Sequence, residues 1–307
     1  MDGSRDISEA AIGDSAPFDC ASLDDPAEAE RLRRCLARDS AALFRLPLAA
    51  ATTLASLHSQ AAAFFASPAS AKRRCSFEAR LPSVGPATVR VGWHELQVKE
   101  LFRFFPCSPL PRETPHRLRR TCRESQLILH TLLTRCLGLL LGANGSSAWT
   151  GTPTSARAVR MLLGAPPNGA FDLFMYLNQA ANQNIEENTA EDTSTDHTVP
   201  NSPPIPNCTA HVDRGYLHAI VASKVDGLQL FHPHRCTWET PRERWGRELT
   251  PHLHVIVLAN AELARIDRRY RACVHRVARA QQPRLSISYE IRPRFADAQP
   301  RGGANRS

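Results

Sequence analysis

The chain has 307 residues, 42% of them hydrophobic, and a formal net charge of +8. That length suits one large domain or two small ones, and that apolar content supports a real core. The arginines behind the charge are scattered, with no compact basic run interleaved with aromatics, which argues for a basic soluble surface and against nucleic-acid binding.

Residues 1–15 are polar and are expected to be disordered. Helical composition runs from Asp25 to Ala37, and Leu43–Leu46 reads as a short strand. A second helix spans Ala49 to Phe65 and is closed by Ser67-Pro68. Gly92 to Phe105 alternates irregularly enough to hold strands, and Pro106 to Pro115 is a proline-rich turn region. The strongest helical pattern runs from Arg117 to Leu141 and ends at Gly142. Residues 142–169 are rich in Gly, Ser, Thr and Pro and read mostly as loop. Phe171 to Leu177 has strand character. The polar, acidic stretch 182–207 has the composition of a mobile loop, either a lid or an inert insertion.

Strand signals then follow quickly. Leu217–Ala222 and Leu228–Phe231 flank Asp226-Gly227 and predict a hairpin. His254–Leu258, Ala272–Ala278 and Arg284–Ile291 complete the series. Short strands at this spacing, after one long helix, point to a jelly roll or barrel. Residues 295–307 are expected to form a disordered tail.

The nine cysteines are odd in number and form no C-x-x-C pair. Reduced thiols in a cytoplasmic protein are therefore expected. The N-terminus lacks the apolar stretch of a signal peptide. The longest apolar run, Leu127 to Leu141, is interrupted by His130 and Arg135, so no membrane span is expected.

The chemistry concentrates near the end of the chain. In a strand, residues i and i+2 share a face. His211 and Asp213 can thus meet one metal ion while Val212 packs on the other side. A third ligand at His275 completes two imidazoles and one carboxylate, the facial set of non-haem Fe(II) oxygenases. Taken alone, a His–Asp hydrogen bond on a strand is the better explanation of the pair. Arg284, Ser286, Ser288 and Glu290 share one strand face. They form either a solvent face or the start of a polar cavity, where a guanidinium fork suits a carboxylate. His232/His234 and His252/His254 are further H-x-H pairs, read as surface loop histidines. Strand parity turns His218 away from His211 and suggests a core or surface role. Cys273 shares the parity of His275 and either lines a cavity or fills the core.

The strings His211-Val-Asp213-Arg-Gly215-Tyr-Leu217, Val225-Asp-Gly227-Leu-Gln229-Leu, Arg269-Tyr270 through His275-Arg276-Val277, and Arg284-Leu-Ser286 occur in that order. Upstream, Phe64-Phe65-Ala-Ser-Pro68 is followed by Lys72. Together they resemble the iron and 2-oxoglutarate-dependent dioxygenases of the isopenicillin N synthase type. The resemblance is weak over 17–294 and specific over 208–290. It implies an α+β protein with a double-stranded β-helix (jelly roll) core and flanking, mainly N-terminal, helices. Residues 16–115 would pack on an oxygenase domain formed by 116–294. His211, Asp213 and His275 would hold Fe(II). Arg284 and Ser286 would bind the distal carboxylate of the co-substrate 2-oxoglutarate, and Tyr176 would also reach it. Ascorbate is a candidate further cofactor. Trp93, His94 and Lys99 fall where substrate is often bordered.

The implied activity is oxidation, foremost hydroxylation, of a small organic molecule with O2 and with decarboxylation of 2-oxoglutarate to succinate. The expected form is a monomer. An oxidase or cyclase using the same iron, and a non-catalytic binding protein that kept the fold, are the alternatives. The sequence departs from the family at Phe174, Leu177 and His218, where Asn, Pro and Thr are common, and it stops soon after Pro293. Those departures bear on the substrate.

Overall fold

The computed structural model describes residues 16–81, 84–142, 162–163, 168–178 and 206–293. The expectations for 1–15, for the loop up to residue 205 and for the tail lie outside these residues, as does most of 142–169. Two sheets form the molecule. In chain order the strands are β1 (Phe18–Asp19), β2 (Ala41–Arg45), β3 (Ser76–Arg80), β4 (Thr88–Leu96), β5 (Lys99–Phe104), β6 (Gly169–Tyr176), β7 (Cys208–His211), β8 (Leu217–Val221), β9 (Leu228–His232), β10 (Thr237–Glu239), β11 (His254–Ala259), β12 (His275–Val277) and β13 (Arg284–Ile291). The large sheet runs β1-β2-β11-β8-β13-β6-β5-β4-β3 and the small one β10-β9-β12-β7. Among the described residues only the β1–β2 pair is parallel. The large sheet takes strands from both sides of residue 115.

Among the described residues the α-helices are α1 (Pro26–Asp39), α2 (Leu48–Phe65), α3 (Ala69–Arg73), α4 (His116–Leu141), α5 (Pro241–Trp245) and α6 (Ala261–Ile266). The first, second and fourth match the periodic segments within a few residues. Asp25 caps α1 by accepting from Ala27 N, with Pro26 in the first turn, as an N-terminus favours. The outer face of the large sheet packs under α2 and α4. Leu54, Leu57, Leu129, Leu133, Phe102, Phe171 and Tyr289 are all within that core. Its burial is the main source of cohesion. A smaller core lies between the sheets, from Leu43, Ile220, Leu228, Leu230, Ile256 and Cys273. Cys273 is thus a core filler. Among the described residues no helix is long and apolar enough to cross a membrane.

One expectation is overturned. Leu217–Val221 and Leu228–His232 do not form a hairpin. β8 pairs with β11 and β13, whereas β9 pairs with β10 and β12. The Asp226-Gly227 turn instead carries the chain from one sheet to the other. Gly227 has φ +145°, and a Cβ there would press on the Ala278 carbonyl oxygen at 3.1 Å and on Arg284 Cδ at 3.3 Å. Period-2 alternation marks a strand but not its partner, because both sheets bury one face.

Gly92 breaks β4 in another way. Its φ is +95°, and a Cβ would collide with the Cys75 carbonyl oxygen, which accepts from Trp93 N at 2.9 Å. Gly92→Ala is expected to lower unfolding stability by about 1–3 kcal/mol, read from urea denaturation; an unchanged midpoint would contradict the close approach.

Candidate metal centre

β13 sets the interior. Its eight residues are all buried, polar and apolar alike, including Arg284 at 3% and Glu290 at 4% exposure. The polar face Arg284, Ser286, Ser288 and Glu290 is therefore internal, and the solvent-face alternative is excluded. Tyr176 lies opposite Arg284, Phe174 opposite Ser286, Asp172 opposite Ser288, and His218 opposite Glu290. Such cross-strand pairs share a face.

The small sheet supplies the facing side. In its register His275 on β12 sits opposite His211 at the end of β7, and their ring centroids are 4.3 Å apart. Ligand atoms of His211, Asp213 and His275 all lie within 4.8 Å of one another. Among the described residues this is the only His/Cys/Asp/Glu group that offers a metal three ligands. His232 and His234 stand 6.1 Å apart between centroids, whereas His252 and His254 are buried rather than on a surface loop, His252 lying tilted 4.8 Å from the His58 ring.

The route to this geometry differs from the strand argument. β7 ends at His211, Val212 is 40% exposed rather than packed, and Asp213 lies in a turn. That turn is pinned. Gly215 N donates to Glu290 Oε1 at 2.5 Å, and Tyr216 N to Ile291 O at 2.9 Å. Ala261 N and Glu262 N donate to the carbonyls of Asp213 and Gly215, each at 3.0 Å. These are first-turn amides of α6, whose cap residue Asn260 makes no side-chain cap bond. The turn carbonyls thus satisfy the helix's free amides, and the helix start fixes the ligand turn.

Each histidine presents the same nitrogen. His211 Nδ1 lies 2.8 Å from Thr209 O, and His275 Nδ1 lies 3.2 Å from Cys273 O. A ring whose Nδ1–H donates to a carbonyl leaves Nε2 bare for a metal. The two Nε2 atoms approach Asp213 at 3.7 Å and 3.4 Å.

Electrostatics differ at the three positions. Burial lowers His275 to a pKa of about 4, so it is neutral at pH 7. The hydrogen bond with Cys208 outweighs burial and raises His211 to about 9, so a metal binding at its Nε2 must displace a proton. For Asp213, burial works against the charge, yet His218, then His275 and His211, hold it well below the usual carboxylate range.

His218 is the residue that sequence parity misses. Its Nδ1 lies 2.6 Å from Asp213 Oδ2. The parity argument fails because β7 ends at His211 and His218 is on β8 in the other sheet, so no continuous strand relates the two. The signal available in the sequence is His218 itself, which stands where the resembled dioxygenases commonly carry Thr.

The other expected residues sort clearly. Arg284 is enclosed; its Nε donates to Val225 O at 3.1 Å, and Nη1 has no hydrogen-bond partner. Its guanidinium sits 5.6 Å from the centre of the Tyr176 ring. Ser286 is buried one pleat further along. Lys99 lies over the Phe174 and Tyr176 rings at 5.0 and 5.5 Å. Trp93 points to the helix side, where Glu100 accepts from its Nε1 and from Lys72 Nζ, both at 2.6 Å. Trp93 and Lys72 are therefore structural. His94 is on the inner face.

No protein-family model and no curated protein sequence matches the chain. Solved structures do. The dioxygenase for auxin oxidation from rice is 18% identical, with a TM-score of 0.61 over 92% of this chain and 84% of that one. Its Arabidopsis thaliana counterpart, solved as a 2-oxoglutarate complex, is 14% identical with a TM-score of 0.63, covering 91% and 93%. A full-length Neurospora crassa protein, solved in complex with alpha-KG and 5-formyluracil, is 15% identical with a TM-score of 0.62, covering 90% and 83%. The chain shares its fold with these proteins and with a putative 2OG-Fe(II) oxygenase family protein from Caulobacter crescentus. At these identities the likeness speaks to architecture alone.

His218→Ala leaves Asp213 Oδ2 without its closest donor. Removing an outer partner of a ligand typically weakens metal binding by about 10–100-fold, and that loss is expected here. Competitive chelator titration measures it; affinity within about twofold of the parent would remove His218 from the centre.

Proposed function

We propose that the chain is an Fe(II)- and 2-oxoglutarate-dependent oxygenase with a jelly-roll core, hydroxylating a small organic substrate while 2-oxoglutarate is decarboxylated to succinate. The carrying observation is the pairing of two unlike sites on one interior. A two-imidazole, one-carboxylate set faces a buried guanidinium with an unsatisfied nitrogen. Burying a cation without a counter-charge is costly. A carboxylate ligand would relieve that cost through a fork-to-fork contact.

His211, Asp213 and His275 would hold the iron. Their donor set suits Fe(II) and leaves coordination positions for ligands. Arg284 and Ser286 would take the distal carboxylate, with Tyr176 on the opposite strand. The bound iron with 2-oxoglutarate would supply the oxidising power to break a substrate C–H bond. The chain's own part is to bind, orient and keep water out. Burial lowers the Arg284 pKa, but guanidinium stays charged at any working pH. The neighbours that bind 2-oxoglutarate support this reading by their shared architecture.

Reconstituted with Fe(II), the chain is expected to turn 2-oxoglutarate into succinate. His211→Ala and Asp213→Ala should each lose most of the bound iron by elemental analysis. Full iron content in both would defeat the ligand assignment. Arg284→Lys keeps the charge and loses the fork, so calorimetry should show 2-oxoglutarate affinity falling roughly 10-fold or more while iron content holds. An unchanged dissociation constant would place Arg284 outside the co-substrate site.

A further inference from the structure

Beyond Arg284 and Ser286 the inner face of the large sheet carries a second charged group. Arg103 on β5 lies opposite Asp172 on β6, which lies opposite Ser288 on β13. Arg103 Nε and Nη2 donate to the two Asp172 carboxylate oxygens, each at 2.6 Å. This is the planar two-bond geometry that guanidinium and carboxylate favour. The attraction of Asp172 outweighs burial and raises the Arg103 pKa; Glu290 and Asp213 add to it. Along β13 the pair is linked to the candidate ligands: Asp172 lies opposite Ser288, and two residues on Glu290 lies opposite His218, the partner of Asp213. His94 on β4 shares the face, and burial, then Arg103, lowers its pKa.

The Arg103 side chain lies between β4 and β6 on this inner face and keeps 30% of its surface accessible, while Asp172 keeps 10%. Arg103 Nη1 takes no part in the two-bond pairing with Asp172. What this face presents is then a neutral pair with an N–H edge and, beside it, carboxylate lone pairs. A ligand carboxylate would meet Asp172 as well as Arg103 and gain little. A neutral carbonyl with an adjacent N–H finds a donor and an acceptor side by side.

We propose that the Arg103–Asp172 pair is the specificity-determining element of this site and selects neutral amide-like substrates (amides, lactams or imides) over the corresponding carboxylic acids. The assignment rests on the oxygenase reading for what happens to the substrate, but the binding preference can be measured separately.

The test is ligand-observed NMR titration of the full chain loaded with Zn(II) and 2-oxoglutarate. The probes are benzamide against benzoate and nicotinamide against nicotinate. The parent should bind each amide about tenfold or more tightly than its acid. Asp172→Asn uncovers an uncompensated guanidinium and should reverse the preference toward the acids. Arg103→Gln should abolish the preference with 2-oxoglutarate affinity unchanged, and Arg103→Lys, which keeps the charge without the fork, should weaken it. Acids bound as well as amides by the parent, binding of neither, or a ratio unmoved in Asp172→Asn would overturn the assignment. Succinate formation with Fe(II) is scored apart. Its absence would remove the oxygenase reading while leaving the amide preference to stand or fall on the titration.

Discussion

A carboxylate buried at 4% exposure is tolerable only when donors surround it, and Glu290 shows what that requirement organises. One of its oxygens accepts from Gly215 N and Asn260 Nδ2, and the other accepts from Arg292 Nε. Gly215 belongs to the turn that carries Asp213, Asn260 caps the helix whose amides hold that turn, and Glu290 itself is on the central strand. The position of the metal carboxylate thus follows from satisfying a different carboxylate. Gly215 has no room for a side chain, since a Cβ would collide with the Ile291 carbonyl oxygen and lie 2.6 Å from Glu290 Oε1. The glycine in the His-Val-Asp-Arg-Gly string is a packing requirement.

Much of this is legible without coordinates. The helices α1, α2 and α4 announce themselves by period and caps, and β13 by strict alternation, because those signals are local. The three candidate ligands that the fold brings together are readable from residue types and order. Three things are not. The partner of a strand depends on contacts far along the chain, so the turn at Asp226-Gly227 looks like a hairpin and is a crossing. Asp213 reads as a strand residue although it lies in a turn, because one intervening residue fits either. His218 escapes notice for the same reason. Arg103 and Asp172 carry no motif at all: they are 69 residues apart, and only sheet order brings them together.

The interior concentrates charge. Arg103–Asp172, Glu290–Arg292 and Asp213 with its histidines place several ionised groups between two sheets. Each is compensated nearby, as low-dielectric surroundings demand. Among the described residues Arg284 forms no ion pair and keeps an unsatisfied nitrogen, and such a group commonly marks a place reserved for a ligand.

Strand β7 has a further consequence. It is four residues long, lies at the edge of the small sheet and is held by β12 alone through an irregular two-position register. Yet it ends in His211. An ion shared by His211, Asp213 and His275 would tie this edge strand to β12 and to the turn anchored on the large sheet. Ligation would then act as a cross-link between sheets. Its effect would be felt chiefly as slower opening of one edge, growing with the logarithm of free metal. A short edge strand would owe its persistence to the chemistry it serves.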